Sequence, residues 1–222
     1  LARSAQRLAP LYDLMLHRIR QSFVIRADET TARVLRPGSG KAATSYLWVY
    51  VGDDEHPYQW FDYRLDRSRA GPEDALRGYS GGLLTDGHSA YASLVASSHG
   101  RLLDLGCWAH ARRKFDESCL VTTHPLAHDA LAWIWQLYDL EDQILEATPD
   151  ERLAVRRRES APILDRLYAQ LREAQGTVRP SSKLSEAIGY CLNRWDAMAR
   201  YATDDRYPID NNAAERALRP AV

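Results

Sequence analysis

The feature that most constrains the fold is a change in hydrophobic periodicity partway along this 222-residue chain. Before about residue 110, short apolar and aromatic runs separated by turn residues predict β-strands. From 120 to 205, apolar residues instead recur every three or four positions, which is typical of amphipathic helices. The chain therefore combines a sheet-containing part with an all-helical part.

Strand patterns occur five times in the first part. Three are rich in aromatic and β-branched residues and are joined by short polar turns, which predicts an antiparallel meander. Two shorter apolar strands follow and alternate with helices, which indicates a mixed sheet with helices packed on it, an α/β fold class. The predicted strands are 23–35, 46–51, 58–64, 82–86 and 102–107, with a turn at Pro37–Gly40 after the first.

Composition excludes several classes of protein. The 29 Lys and Arg residues balance 30 Asp and Glu residues, so bulk charge gives no affinity for nucleic acid, and any such contact needs a local basic patch. Three cysteines are too few for a disulfide scaffold and suit a reducing cytoplasm. No apolar run approaches the ~18 residues of a membrane span, and no signal peptide is recognisable. We therefore expect a cytoplasmic protein without a membrane partner; because the chain opens at Leu1, we also expect a fragment.

Three acidic residues stand in settings that suit phosphoryl-transfer chemistry. Asp28 lies in the first strand, Asp86 ends a short strand beside Gly87, and Glu215 lies on a late helix. Carboxylates that converge repel one another and raise each other's pKa values. Two divalent cations roughly 3.5–4 Å apart remove that penalty and polarise a phosphodiester, and Mg²⁺ suits such hard oxygen ligands.

Each acid also has a structural interpretation. Asp28 could be an exposed strand charge, and the neighbouring Glu29 could be the ligand in its place. Asp86 could cap the following turn, and Glu215 could complete a capping box with Asn212. From spacing alone these structural interpretations are favoured when each residue is taken singly.

At these residues the sequence resembles the transposases of the insertion sequence 66 family, over roughly residues 20 to 222. Two short motifs and two long ones carry the resemblance: Asp28-Glu29-Thr30, Thr85-Asp86 with Tyr91, Cys107–Phe115 (CWAHARRKF) and Asp210–Pro220 (DNNAAERALRP). The resemblance implies a ribonuclease H-like fold with a five-stranded mixed sheet and an all-helical insertion before the last catalytic helix. It makes Asp28, Asp86 and Glu215 the catalytic, metal-binding triad, with two Mg²⁺ or Mn²⁺ ions as cofactors.

The resulting domain organisation has four parts: an N-terminal helix at 1–21, the first part of the ribonuclease H-like core at 22–119, a helical insertion at 120–205 and the final core helix at 206–222. The expected function is a DNA transposase catalytic core that cuts transposon ends and joins the 3′-hydroxyl to target DNA. The alternatives are a metal-dependent nuclease without joining and a non-catalytic remnant that acts by assembly. The expected partners are transposon-end and target DNA, further copies of the chain on DNA, and accessory transposition proteins; the active protein would be associated with the bacterial nucleoid.

Exposed cations supply candidate DNA contacts. A helix that begins near Ala109 places His110, Arg113 and Lys114 on one face, where they could bind phosphate or simply be solvated. On the acidic helix the candidates are Asn212, Arg216 and Arg219, and the alternative for the arginines is an intrahelical pair with Glu215. Two further expectations concern the insertion: an exposed Arg156-Arg157-Arg158 face, and Trp133, Trp135 and Trp195 in the core, although an exposed one could stack on an unpaired base.

Overall fold

The computed structural model describes residues 2–35 and 42–221, and it divides into two compact units. The sheet unit consists of Leu1–Asp104 and Asn211–Val222. The helical unit is the intervening segment Leu105–Asp210. The turn that the sequence predicts at Pro37–Gly40 lies outside the described residues. The domain boundaries expected at 21, 119 and 205 stay a prediction.

A five-stranded mixed sheet with the order β3-β2-β1-β4-β5 confirms the α/β fold class. The first three strands form the antiparallel meander, and β1 pairs in parallel with β4 on its other side. This mixed sheet is consistent with a ribonuclease H-like core. The strands are β1 (Val24–Leu35), β2 (Ala42–Val51), β3 (Gln59–Arg64), β4 (Gly81–Leu84) and β5 (Leu102–Leu105).

Helices belonging to the sheet unit bury both faces of the sheet. One face carries an aromatic core that includes Trp48 and Tyr50 and receives side chains from α1, α2 and α3. On the other face, Val49 and Val51 pack against Ala214 and other residues of α10. The helices concerned are α1 (Ala2–Ile19), α2 (Ala70–Ala75), α3 (Ser89–Ala96) and α10 (Asn212–Leu218). The strand pattern therefore places α10 on the face opposite the aromatic core.

Every regular element of the helical unit from Trp108 onward is a helix, as the periodicity predicts. Its apolar stripes, including Ile134, Leu137, Leu167 and Leu171, are buried. The elements are α4 (Trp108–Cys119), α5 (Pro125–Gln143), α6 (Pro149–Val155), a π-helical turn (Arg156–Ser160), α7 (Ala161–Ala174), α8 (Lys183–Leu192), α9 (Trp195–Ala199) and a 3₁₀ turn (Arg200–Thr203).

Two expectations about this unit are wrong. Arg156 is only 2% exposed, because its guanidinium forms an ion pair with Glu141 at 2.6 Å and donates to the carbonyl oxygens of Tyr201 and Asp204. Trp135, expected in the core, is 48% exposed and lies under the guanidinium of Arg112, 4.5 Å from the ring centroid. Over the described ranges, none of the helices has the length and apolar character needed to cross a membrane.

Candidate active site

The parallel pairing of β1 with β4 sets the relative position of the first two acids. Val24 is the Cα partner of Gly82, and Arg26 is the partner of Leu84. The pairing and β4 both end at Leu84, two residues before Asp86, and Asp28 follows Arg26 by two residues along β1. The strand end that the sequence predicts at Asp86 therefore lies at Leu84, and the loop that carries Asp86 begins beside the part of β1 that leads to Asp28.

The meander decides which face of the sheet each acid of the Asp28-Glu29 pair occupies. Asp28 is the Cα partner of Val49, whose side chain packs against α10. Glu29 is the partner of Trp48, which belongs to the aromatic core on the other face. Directly opposed residues of antiparallel strands share a face, and successive residues alternate. Asp28, rather than Glu29, therefore lies on the same side of the sheet as the helix that carries Glu215.

A buried asparagine fixes the start of that helix against β1. The Nδ2 of Asn211 donates a 2.8 Å hydrogen bond to the carbonyl oxygen of Ala27, the residue before Asp28, and Asn211 is fully buried. Asn211 is the N-cap residue of α10, and its side chain makes no capping hydrogen bond. The capping box proposed between Asn212 and Glu215 is accordingly not formed, since Asn212 is already inside the helix.

Burial and the neighbouring acids both affect the pKa of Asp28. Burial is the largest cause that raises the pKa of Asp28 to about 7. A 2.9 Å hydrogen bond from the backbone N–H of Glu29 to Oδ1 opposes that rise, and the charges of Glu29, Asp86 and Glu215 add to it. Residues far apart in sequence thus lie close enough to disfavour the ionised form of one carboxyl group, as expected where like charges converge.

The turn-capping interpretation of Asp86 is confirmed. Oδ1 of Asp86 accepts a 2.8 Å hydrogen bond from the backbone N–H of His88, and the His88 ring in turn caps α3 by accepting from Ala90 at 3.3 Å. An ionised carboxylate offers about four lone-pair sites on two oxygens. The turn occupies one of them, so the structural role of Asp86 does not exclude a second role as a ligand.

The donor chemistry of the triad Asp28, Asp86 and Glu215 fits a hard divalent cation. All three are carboxylates, and burial together with the charges of Glu29, Asp86 and Glu215 raises the pKa of Asp28, a penalty on the ionised form that a bound cation would offset. Among residues 2–35 and 42–221, no group of three His, Cys, Asp or Glu side chains is placed so that it could hold one metal ion. Mg²⁺ is usually held by one or two carboxylates, with waters and substrate phosphates completing its shell, so sharing of ions between pairs of these acids is compatible with this arrangement.

The cations proposed for DNA contact are distributed over two helices. On α10, Arg216 is exposed and Asn212 is half-buried. Arg219 is also exposed and directly follows the helix, which ends at Leu218. On α4, in the helical unit, Arg113 is exposed, whereas the ammonium of Lys114 lies 5.4 Å from the centroid of the Tyr190 ring. The Nδ1 of His110 lies 3.2 Å from the Sγ of Cys107. Their roles in DNA binding stay predictions.

Two features of the site were not recognised in the sequence. The first is the Asn211–Ala27 hydrogen bond, which joins residues 184 positions apart. The second is the ion pair of Glu29 with Arg67, which follows β3. An asparagine just before a helix is a capping candidate, so the sequence provides a reason to consider Asn211. The local sequence does not indicate that its side chain bonds to Ala27 on β1.

Comparison with known proteins gives consistent matches over the whole chain. The family model described as Transposase IS66 family matches residues 1–222. Three uncharacterized proteins of Sinorhizobium fredii (strain NBRC 101917 / NGR234) are similar over 96% of this chain: y4qI at 36% identity, y4hP at 31% and y4jD at 30%. The chain spans only 42% to 43% of the length of these curated relatives. No solved structure matches.

Proposed function

This chain belongs to the IS66 family of transposases, and we propose that it is the catalytic core of a DNA transposase. In this proposal it cuts transposon ends and joins the freed 3′-hydroxyl to target DNA. The observation that supports it most is geometric: within one unit, the helix that carries Glu215 packs on the face of β1 that carries Asp28, and Asn211 fixes its start to Ala27. The family match and the five-stranded sheet are the context in which that cluster is interpreted.

The proposed site uses each acid of the triad according to its position. Asp28, which lies on the α10 side of β1, would hold two divalent ions together with Asp86 and Glu215. When bound, such a pair polarises the phosphodiester and activates the attacking hydroxyl. Water would be the nucleophile for cutting, and the 3′-hydroxyl would be the nucleophile for joining at the same site.

The polypeptide itself contributes position and charge to this chemistry. The Asn211 hydrogen bond to Ala27 and the packing of Ala214 on Val49 hold α10 against the strand that carries Asp28. Fixing the carboxylates before substrate binds limits the reorganisation needed during reaction. The exposed Arg216 and Arg219 would contact DNA phosphates, which set register without reading bases. Assembly as a homo-oligomer on DNA and accessory proteins belong to the same proposal.

A strand-transfer assay tests the proposal. This chain is incubated with Mg²⁺, target plasmid and an oligonucleotide duplex that presents a pre-cut 3′-hydroxyl, and joined product is measured. We expect joining that requires the divalent ion, is lost in Asp86→Asn and is retained in Asp13→Asn, which removes an exposed carboxylate on α1. Cleaved but never joined DNA would favour the nuclease, and neither product together with no Mg²⁺ binding in calorimetry would favour the non-catalytic remnant. Undiminished joining in Asp86→Asn would remove Asp86 from the mechanism.

A further inference from the structure

The buried carboxylate of Glu29 lies on the face of β1 opposite Asp28 and forms an ion pair with the partly exposed Arg67. The side chain of Glu29 is 1% exposed, and its Oε1 accepts hydrogen bonds from both Nε, at 2.7 Å, and Nη2 of Arg67. The Oε2 atom is buried and has no hydrogen-bond partner within the described part of the chain. Both oxygens of Glu29 are thus removed from water, and only one of them is bonded to the arginine.

The guanidinium of Arg67 keeps donors for another group. A guanidinium carries five N–H donors, and the hydrogen bonds of Arg67 to described residues use its Nε and Nη2 on Glu29. The Arg67 side chain is 42% exposed, so part of it remains accessible to a ligand. Two hydrogen bonds to one acceptor fix the plane of the guanidinium, and the accessible donors therefore have a defined orientation.

Arg67 is bonded to Glu29 on the face of β1 opposite Asp28, and it lies close enough to Asp86 for the charge of that acid to act on it. Its partner Glu29 directly follows Asp28 along β1. Burial lowers the pKa of Arg67, but the hydrogen bonds that Arg67 donates to Glu29 and the charges of Glu29 and Asp86 outweigh it and raise that pKa above its ordinary value. A positive group that feels the charge of Asp86 lies near the carboxylates where a phosphodiester would react.

Stability alone gives a weak reason for this arrangement. Burying a carboxylate is costly unless it is fully hydrogen-bonded, and Glu29 adds a fourth negative charge to a region that already holds Asp28, Asp86 and Glu215. An ion pair with a partly exposed arginine contributes little to the stability of the fold, because water screens the charges. An arginine fork, in contrast, matches the oxygens of a phosphate and is well suited to bind one in a fixed geometry.

We propose that Arg67, positioned by Glu29, binds a backbone phosphate of the DNA strand that enters the triad. The inference rests on the proposed function, because it names a further substrate contact of the same site. The ligand is a phosphodiester group, recognised by charge and shape and independently of base sequence. Glu29 is in this view a positioning residue, and Arg67 is the residue that touches DNA.

The test measures DNA affinity as a function of salt. Fluorescence anisotropy with a labelled duplex in Mg²⁺ gives the binding constant of each variant, with the DNA ends blocked as dideoxy termini to prevent joining. Arg67→Gln is expected to weaken binding about tenfold or more and to lower the slope of log K against log salt by about one. Arg77→Gln is the matched control, since Arg77 is an exposed arginine of the same unit in an ion pair with Asp74.

A double variant separates phosphate binding from charge balance and from folding. Glu29→Gln with Arg67→Gln leaves the net charge unchanged and replaces a partly buried ion pair with two amides. The double variant can therefore be measured even if Arg67→Gln fails to fold. We expect the same loss of affinity and the same decrease in salt slope in the double variant as in Arg67→Gln. Arg67→Lys is expected to keep the slope while losing affinity several-fold, because the charge stays and the fork does not.

The outcomes distinguish this inference from the proposed function. Wild-type chain that binds DNA, together with an unchanged affinity and slope in folded Arg67→Gln and in the double variant, would overturn the role of Arg67 alone. Wild-type chain that binds no DNA under any salt condition would overturn both. A loss in Arg67→Gln equal to that in Arg77→Gln would show a general charge effect and would also overturn the inference.

Discussion

Replacement of Asp28 with asparagine is expected to stabilise the chain in the absence of divalent ions. Asparagine keeps the size of the side chain and the Oδ1 acceptor that receives the Glu29 N–H at 2.9 Å. What it removes is a negative charge that burial and three neighbouring acids disfavour. The variant thus isolates the electrostatic cost of assembling the triad from its hydrogen bonding.

The magnitude follows from the raised pKa. Moving a carboxyl pKa from 3.8 to about 7 corresponds to at most about 4 kcal/mol. The folded chain holds the Asp28 proton more tightly than the unfolded chain, so this contribution is fully present below about pH 4 and is lost as pH rises through about 7. The gain in unfolding free energy of Asp28→Asn over wild type should therefore grow by about 2–3 kcal/mol between about pH 5 and about pH 8.

Urea denaturation followed by far-UV circular dichroism, with chelator present, measures this difference. The matched control is Asp13→Asn, which removes an exposed charge on α1 of the same unit and should show no such growth with pH. Equal pH dependence of unfolding in Asp28→Asn and Asp13→Asn would refute the reasoning, because it would mean that Asp28 is not disfavoured by burial and neighbouring acids.

Three further expectations concern the metal, the helix anchor and the helical unit. Mg²⁺ at ten times its dissociation constant should raise the unfolding free energy of wild type by about 1.4 kcal/mol and that of Asp28→Asn by much less, as urea titrations would show. Asn211→Ala should cost about 1–3 kcal/mol and reduce joining activity, because the buried carbonyl of Ala27 loses its donor; normal stability by denaturation would contradict this. Arg156→Ala should destabilise by about 3–5 kcal/mol, because Glu141 is left without its partner, whereas exposed Arg157→Ala should change the denaturation midpoint little.

Local pattern was sufficient to predict the strands and the long helices. Apolar and aromatic runs bounded by turn residues identify β1 to β3. The stripe through Leu137 identifies α5, because the period of that pattern equals the period of a helix. The helix Ser89–Ala96 was not predicted. Its residues are small and mostly apolar around the whole circumference, so no stripe distinguishes one face from another.

The site could be predicted only in part, because its defining contacts are non-local. Motifs brought attention to Asp28, Asp86 and Glu215, whereas the face that separates Asp28 from Glu29 depends on the register between β1 and β2. A run of three arginines indicates an exposed surface, yet Arg156 is buried by partners 15 to 49 positions away. Such burial is decided by tertiary packing and leaves no local signal.

The central claim is that Asp28, Asp86 and Glu215 share two divalent ions, and counting bound Mn²⁺ tests it most directly. Electron paramagnetic resonance of free Mn²⁺, in the presence of duplex DNA, gives the number of ions bound per chain. We expect two ions bound per chain in wild type. Asp28→Asn should strongly weaken the binding of both ions, and Asp86→Asn or Glu215→Gln should preferentially weaken the binding of one. Binding of the same number of ions with the same affinity in wild type and in all three variants would contradict the claim.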